Sequence, residues 1–84
     1  MKILIAEDDK IYRNILASGL RRKGHEVVET KDGQEAWQKM QEPDAPRMIL
    51  LDIMMPVMDG LELCKKIRSH YKRTQPYIIM VSAR

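Results

Sequence analysis

The sequence predicts an α/β fold, a doubly wound parallel sheet with helices on both faces. Two observations carry that expectation. Short apolar runs of strand length alternate with segments whose apolar residues recur at helical spacing, and the connections between them are short. Two of the apolar runs also end in carboxylates, at the end of a strand where open α/β sheets bind ligands.

Each element has its own signal. Lys2-Ile3-Leu4-Ile5-Ala6 reads as a first strand over about 2–7, closing on Glu7-Asp8-Asp9. A helix follows from about 10 to 23. Asp9 is its N-cap and Gly24 its stop, and Ile11, Ile15, Leu16 and Leu20 keep helical spacing. His25–Thr30, with Val27-Val28, is a short second strand. After the Asp32-Gly33 turn, Ala36, Trp37 and Met40 mark a second helix at i, i+1, i+4. Pro43 and Pro46 bracket a loop. Met48–Asp52 is a third strand, four apolar residues closed by one acid. Gly60–His70 is a third helix with Leu63, Cys64 and Ile67 inward. Gln75-Pro76 is a turn, and Tyr77–Val81 a fourth strand ahead of Ser82-Ala83-Arg84.

Right-handed crossovers leave few topologies for this order. The flavodoxin-like strand order 2-1-3-4 sets the first strand beside the third and brings Asp8 next to Asp52. Like charges that close need a cation, and a divalent metal is implied.

Bulk composition sets limits. With 84 residues the chain is at most one small domain, and 44% hydrophobic with 32% charged residues is globular composition rather than disorder. A net charge of +3 is too weak to argue nucleic-acid binding. No apolar stretch approaches membrane-spanning length, and the N-terminal run is too short for a signal peptide. The single Cys64 cannot form an internal disulfide, which fits a reducing cytoplasm.

Glu7-Asp8-Asp9, the segment Leu51-Asp52-Ile53-Met54-Met55-Pro56-Val57-Met58-Asp59-Gly60, and Val81-Ser82-Ala83-Arg84 occur in order across nearly the whole chain. In these motifs the chain resembles the receiver domain of bacterial two-component response regulators. The resemblance implies that Asp52 accepts a phosphoryl group from a sensor histidine kinase. It implies Mg²⁺ or Mn²⁺ held by Asp8, Asp52 and the backbone carbonyl of Met54, with Glu7 acting through water. It implies Ser82 as the switch hydroxyl, and Met54 and Arg84 as residues that tune hydrolysis of the acyl phosphate. Such a protein is a phosphoacceptor rather than an enzyme, and it acts on an output domain, the only route to nucleic acid.

The chain departs from the family pattern after the fourth strand. Residues 1–84 read as a partial receiver that lacks the last helix-strand-helix and the lysine on its fifth strand, so phosphorylation of this segment alone is expected to be slow or absent. The alternative is a non-catalytic truncated receiver that serves only for protein–protein interaction or self-association through an exposed fourth-strand edge. A metal-dependent hydrolase with an aspartyl nucleophile is disfavoured: the haloacid-dehalogenase pattern wants a second Asp where Met54 stands.

Each motif also has a structural explanation. The N-terminal acids suit helix capping, Asp52 a strand-end turn, and Ser82 a satisfied loop hydroxyl. The basic cluster Lys65, Lys66, Arg68, His70, Lys72 and Arg73 reads first as a solvated helix face, with a kinase or nucleic-acid contact as the alternative. The methionines, including Met54, Met55 and Met58, read chiefly as core fillers.

Overall fold

The computed structural model describes residues 1–52, 60–71 and 74–81. They form β1 (Lys2–Ala6), α1 (Lys10–Arg22), β2 (Glu26–Thr30), α2 (Gly33–Met40), β3 (Met48–Asp52), α3 (Gly60–His70) and β4 (Tyr77–Val81). The sheet is parallel throughout, in the order β2-β1-β3-β4. The predicted doubly wound, flavodoxin-like architecture is therefore present. Among the described residues, no helix is long and apolar enough to cross a membrane.

Local chemistry sets the boundaries. Asp9 caps α1, its Oδ1 accepting from the N–H groups of Ile11 (3.0 Å) and Tyr12 (3.2 Å). The helix closes in a Schellman turn. Gly24 N–H donates to Arg21 O and His25 N–H to Leu20 O, with Gly24 at φ 92°, which glycine adopts without strain. His25 is thereby drawn into the helix stop, and β2 begins one residue later than the sequence suggests. At α2, Asp32 Oδ1 accepts from Glu35 N–H (2.8 Å), while the Glu35 carboxylate accepts from Lys31 N–H (3.1 Å), a variant of the capping box.

The two faces of the sheet are covered unequally. On one, Ala36 and Met40 of α2 and Leu63 and Ile67 of α3 seal Leu4, Ala6, Ile49 and Leu51, all fully buried. Truncating a leucine there costs about 2–5 kcal/mol. On the other, Ala17 of α1 packs with Ile5 and Val27, flanked by Leu16, Leu20 and Leu50. Residues in register across a parallel sheet share a face. The row Ile5–Leu50–Ile79 therefore runs from full burial at Ile5, through half-burial at Leu50, to 47% exposure at Ile79.

Helical spacing misleads at α1. Ile11 and Ile15 do share a stripe, but it faces outward, with exposures of 74% and 62%. The stripe that meets the sheet is Leu16, Ala17 and Leu20, about a half-turn away around the helix. Lys65 and Lys66 are both exposed, but the Lys66 ammonium lies 5.7 Å from the centre of the Trp37 ring. Arg68 is not merely solvated: its Nη1 donates to Gln75 Oε1 and to Pro76 O, both at 3.1 Å, fastening α3 to the approach of β4.

Candidate phosphoacceptor and metal site

Ala6 of β1 lies in register with Leu51 of β3. One step further along, the two strands deliver Glu7 and Asp52 side by side at their C-terminal ends. Both are buried, with exposures of 2% and 4%, while Asp8 faces solvent. Ligand oxygens from Glu7, Asp8 and Asp52 lie within 4.8 Å of one another, close enough to share one cation.

The three N-terminal acids have divided roles. Asp9 caps α1, and its N–H donates to Glu7 Oε2 at 3.0 Å. Glu7 and Asp8 join Asp52 in the acidic group. The capping explanation thus holds for one residue of the triplet.

Electrostatics make the cluster a site that wants positive charge. Burial pushes the Glu7 carboxyl up to about 7, aided by side-chain hydrogen bonding with Asp8 and Asp52 and by the charge of Asp52. The Asp9 N–H opposes the shift without cancelling it. The raised Glu7 carboxyl favours a proton or a cation in the cluster near neutral pH. Oxygen-only donors at this spacing, two of them buried, suit a hard divalent cation such as Mg²⁺ or Mn²⁺.

The surrounding scaffold holds the acidic turn in place. Glu7 N–H donates to Thr30 O at 3.1 Å, and the buried Thr30 hydroxyl donates to Ile5 O at 2.7 Å. Arg13 of α1 donates from Nη1 to Glu7 O at 2.8 Å and pairs through Nε with Glu29 at 3.6 Å. Sequence reasoning missed Arg13. Its only trace there is a cation one helical turn beyond the Asp9 cap. Met54, Pro56, Ser82 and Arg84, the other residues the motifs single out, lie outside the described residues.

An open, doubly wound α/β sheet with three carboxylates gathered at its switch point defines an α/β domain with an acidic, cation-suited site. The chain belongs to the response regulator receiver domain family, whose match covers residues 3–84. It is 39% identical over 83 residues to a chemotaxis protein CheY homolog of Campylobacter jejuni, covering 98% of this chain and 64% of that protein. It is 40% identical over 67 residues to the alkaline phosphatase synthesis transcriptional regulatory protein PhoP of Bacillus subtilis, covering 80% of this chain and 28% of that protein. The chain thus spans less than two thirds of the length of either relative. Among solved structures, the N-terminal domain of an uncharacterized protein from Wolinella succinogenes superposes with a TM-score of 0.88 at 36% identity, over 100% of this chain and 65% of that one. The response regulator TrrA of Thermotoga maritima, solved in complex with Mg²⁺ and BeF, superposes at 0.80 with 28% identity, over 96% of this chain and 66% of that one.

Proposed function

We propose that residues 1–84 are part of a phosphorelay receiver in which Asp52 accepts a phosphoryl group from a sensor histidine kinase. The observation that carries this reading is the convergence of Glu7, Asp8 and Asp52 at the ends of adjacent strands. An Asp52 carboxylate oxygen attacks the phosphorus of a phosphohistidine in line. The P–N bond breaks, an acyl phosphate O–P bond forms, and the departing imidazole nitrogen takes up a proton from water. Asp8 and Asp52 would hold Mg²⁺ or Mn²⁺, with Glu7 acting through water and the Met54 carbonyl as a further ligand. The cation supplies charge neutralisation at the phosphoryl oxygens.

Ser82 is assigned the switch hydroxyl, which donates to a phosphoryl oxygen and passes the change to an output domain. The protein works as a phosphoacceptor in the cytoplasm rather than as an enzyme. The test is phosphate incorporation from acetyl phosphate in an intact receiver carrying this segment. Incorporation should require Mg²⁺ and approach one phosphate per chain. Asp52→Asn should abolish it, whereas Ser82→Ala should retain it and weaken signalling. Undiminished labelling of Asp52→Asn would overturn the assignment.

A second reading is favoured by β4. Tyr77 and Ile79 are 69% and 47% exposed on an edge strand of the described sheet. An apolar strand edge is a template for another chain. On this reading the segment self-associates.

A further inference from the structure

The outer surface between α2 and α3 has a feature that phosphoryl chemistry does not use. Trp37, the one tryptophan of the chain, is half-buried on α2 and packs on the core cluster. The His70 ring meets it edge-on, with centroids 5.5 Å apart at 84°. Tyr71 meets His70 in turn at 4.9 Å and 85°, and its hydroxyl donates to Met40 O at 2.6 Å. This chain of contacts fixes the indole before any ligand arrives, so little rotamer entropy is left to lose on binding.

Beside the indole is a hollow of about 390 Å³ lined by Trp37, Lys65, Lys66, Ser69 and His70. The lining contains no carboxylate, and among the described residues no carboxylate pairs with Lys65, Lys66 or His70. The Lys66 ammonium sits 5.7 Å from the centre of the Trp37 ring. Trp37 is the kind of residue that anchors binding hot spots, and the lysines beside it set the sign of charge an occupant must carry.

We propose that this α2–α3 groove docks an acidic peptide segment of a partner protein, carboxylates pairing with Lys65 and Lys66 and an apolar side chain resting on Trp37. The charge of the groove calls for an anionic occupant. The ring contacts favour a peptide over a nucleic acid. Base stacking needs a whole open aromatic face; with the His70 ring edge-on and the Lys66 ammonium 5.7 Å from the ring centre, the part of the half-buried indole left over suits a small apolar side chain better than a base.

Trp37 reports its own occupancy, because no other indole contributes to the fluorescence. The probe is a synthetic peptide of alternating Glu and Leu, with a Lys and Leu peptide and an oligothymidylate of matched charge magnitude as comparisons. The acidic peptide should change Trp37 emission saturably, and the basic peptide should not. Lys65→Glu with Lys66→Glu should weaken the acidic peptide at least tenfold while circular dichroism and melting stay the same. The double alanine variant, which needs no charge reversal, should be intermediate. Absence of a saturable response, or equal affinity in the charge-reversed variant, would overturn the proposal. Oligothymidylate binding as tightly as the peptide would overturn it in favour of a nucleic-acid site.

Discussion

Arg13 and Glu7 are joined through the backbone: the guanidinium donates to the Glu7 carbonyl at 2.8 Å, not to its carboxylate. The same guanidinium pairs with Glu29, which also receives Arg21 at 3.0 Å. A helix is thereby tied both to the turn that carries the acids and to the neighbouring strand, while the Glu7 carboxylate meets the Asp9 N–H, Asp8 and Asp52.

Arg13→Ala should therefore act at a distance from the carboxylates. Losing a charge-assisted bond to a partly buried carbonyl costs about 1–2 kcal/mol, or a melting temperature lower by several degrees. Divalent-metal affinity should also fall severalfold as the acidic turn loosens. Arg13→Lys should rescue little, because an ammonium does not reproduce the fork that reaches two acceptors. Thermal melts read by circular dichroism, with and without Mg²⁺, check both effects. Full rescue by lysine would remove the role given to the fork.

Asp8→Asn removes a ligand and a charge while leaving the Asp9 cap intact. Mg²⁺ or Mn²⁺ affinity should fall at least tenfold with little change in metal-free stability, since Asp8 is exposed. Calorimetric titration measures it. Unchanged affinity would exclude Asp8 from the site.

The Glu7 carboxyl makes metal-free stability fall as pH rises. Its value in the fold is about 7 against an ordinary 4.5, so between those limits the folded protein keeps a proton that the unfolded chain has released. The benefit is complete below about 4.5 and is lost as pH passes through about 7. From the size of the shift it amounts to at most about 3 kcal/mol. Urea melts at pH 5 and pH 8 should show the loss, Mg²⁺ should offset it at pH 8, and Glu7→Gln should flatten the profile. Parallel profiles for wild type and Glu7→Gln would contradict this account.

Ile79→Lys tests the edge of the sheet. The wild-type segment is expected to sediment as a dimer or larger species, or to fold poorly, and a lysine on the edge strand should shift it toward monomer. The substitution costs little packing at a residue 47% exposed. A wild-type monomer that melts cooperatively would show the edge to be harmless.

Much of this was legible in the sequence, and the omissions have a common cause. The bounds of β3, α3 and β4 emerge from apolar runs and turn residues alone, and the Asp9 and Gly24 caps follow from their side-chain chemistry. Strand order brings the ends of β1 and β3 together, but register decides which acid lies across from Asp52, and that residue is Glu7 rather than Asp8. Periodicity shows that Ile11 and Ile15 share a face, but not whether another element covers it. Arg13 with Glu7, Arg68 with Pro76, and Lys66 with Trp37 are contacts made only once separate elements have packed. Nothing in the local pattern around Lys66 distinguishes a lysine over an indole from a lysine in water.

Among the described residues, the strands that deliver the carboxylates, β1 and β3, are the two interior strands of the sheet, each bonded to neighbours on both sides. In native-state hydrogen exchange their amides should be the last to open, and those at the outer margins of β2 and β4 the first. The acidic cluster is thus mounted where the molecule yields least. Fraying at either margin leaves the spacing between Glu7 and Asp52 unchanged.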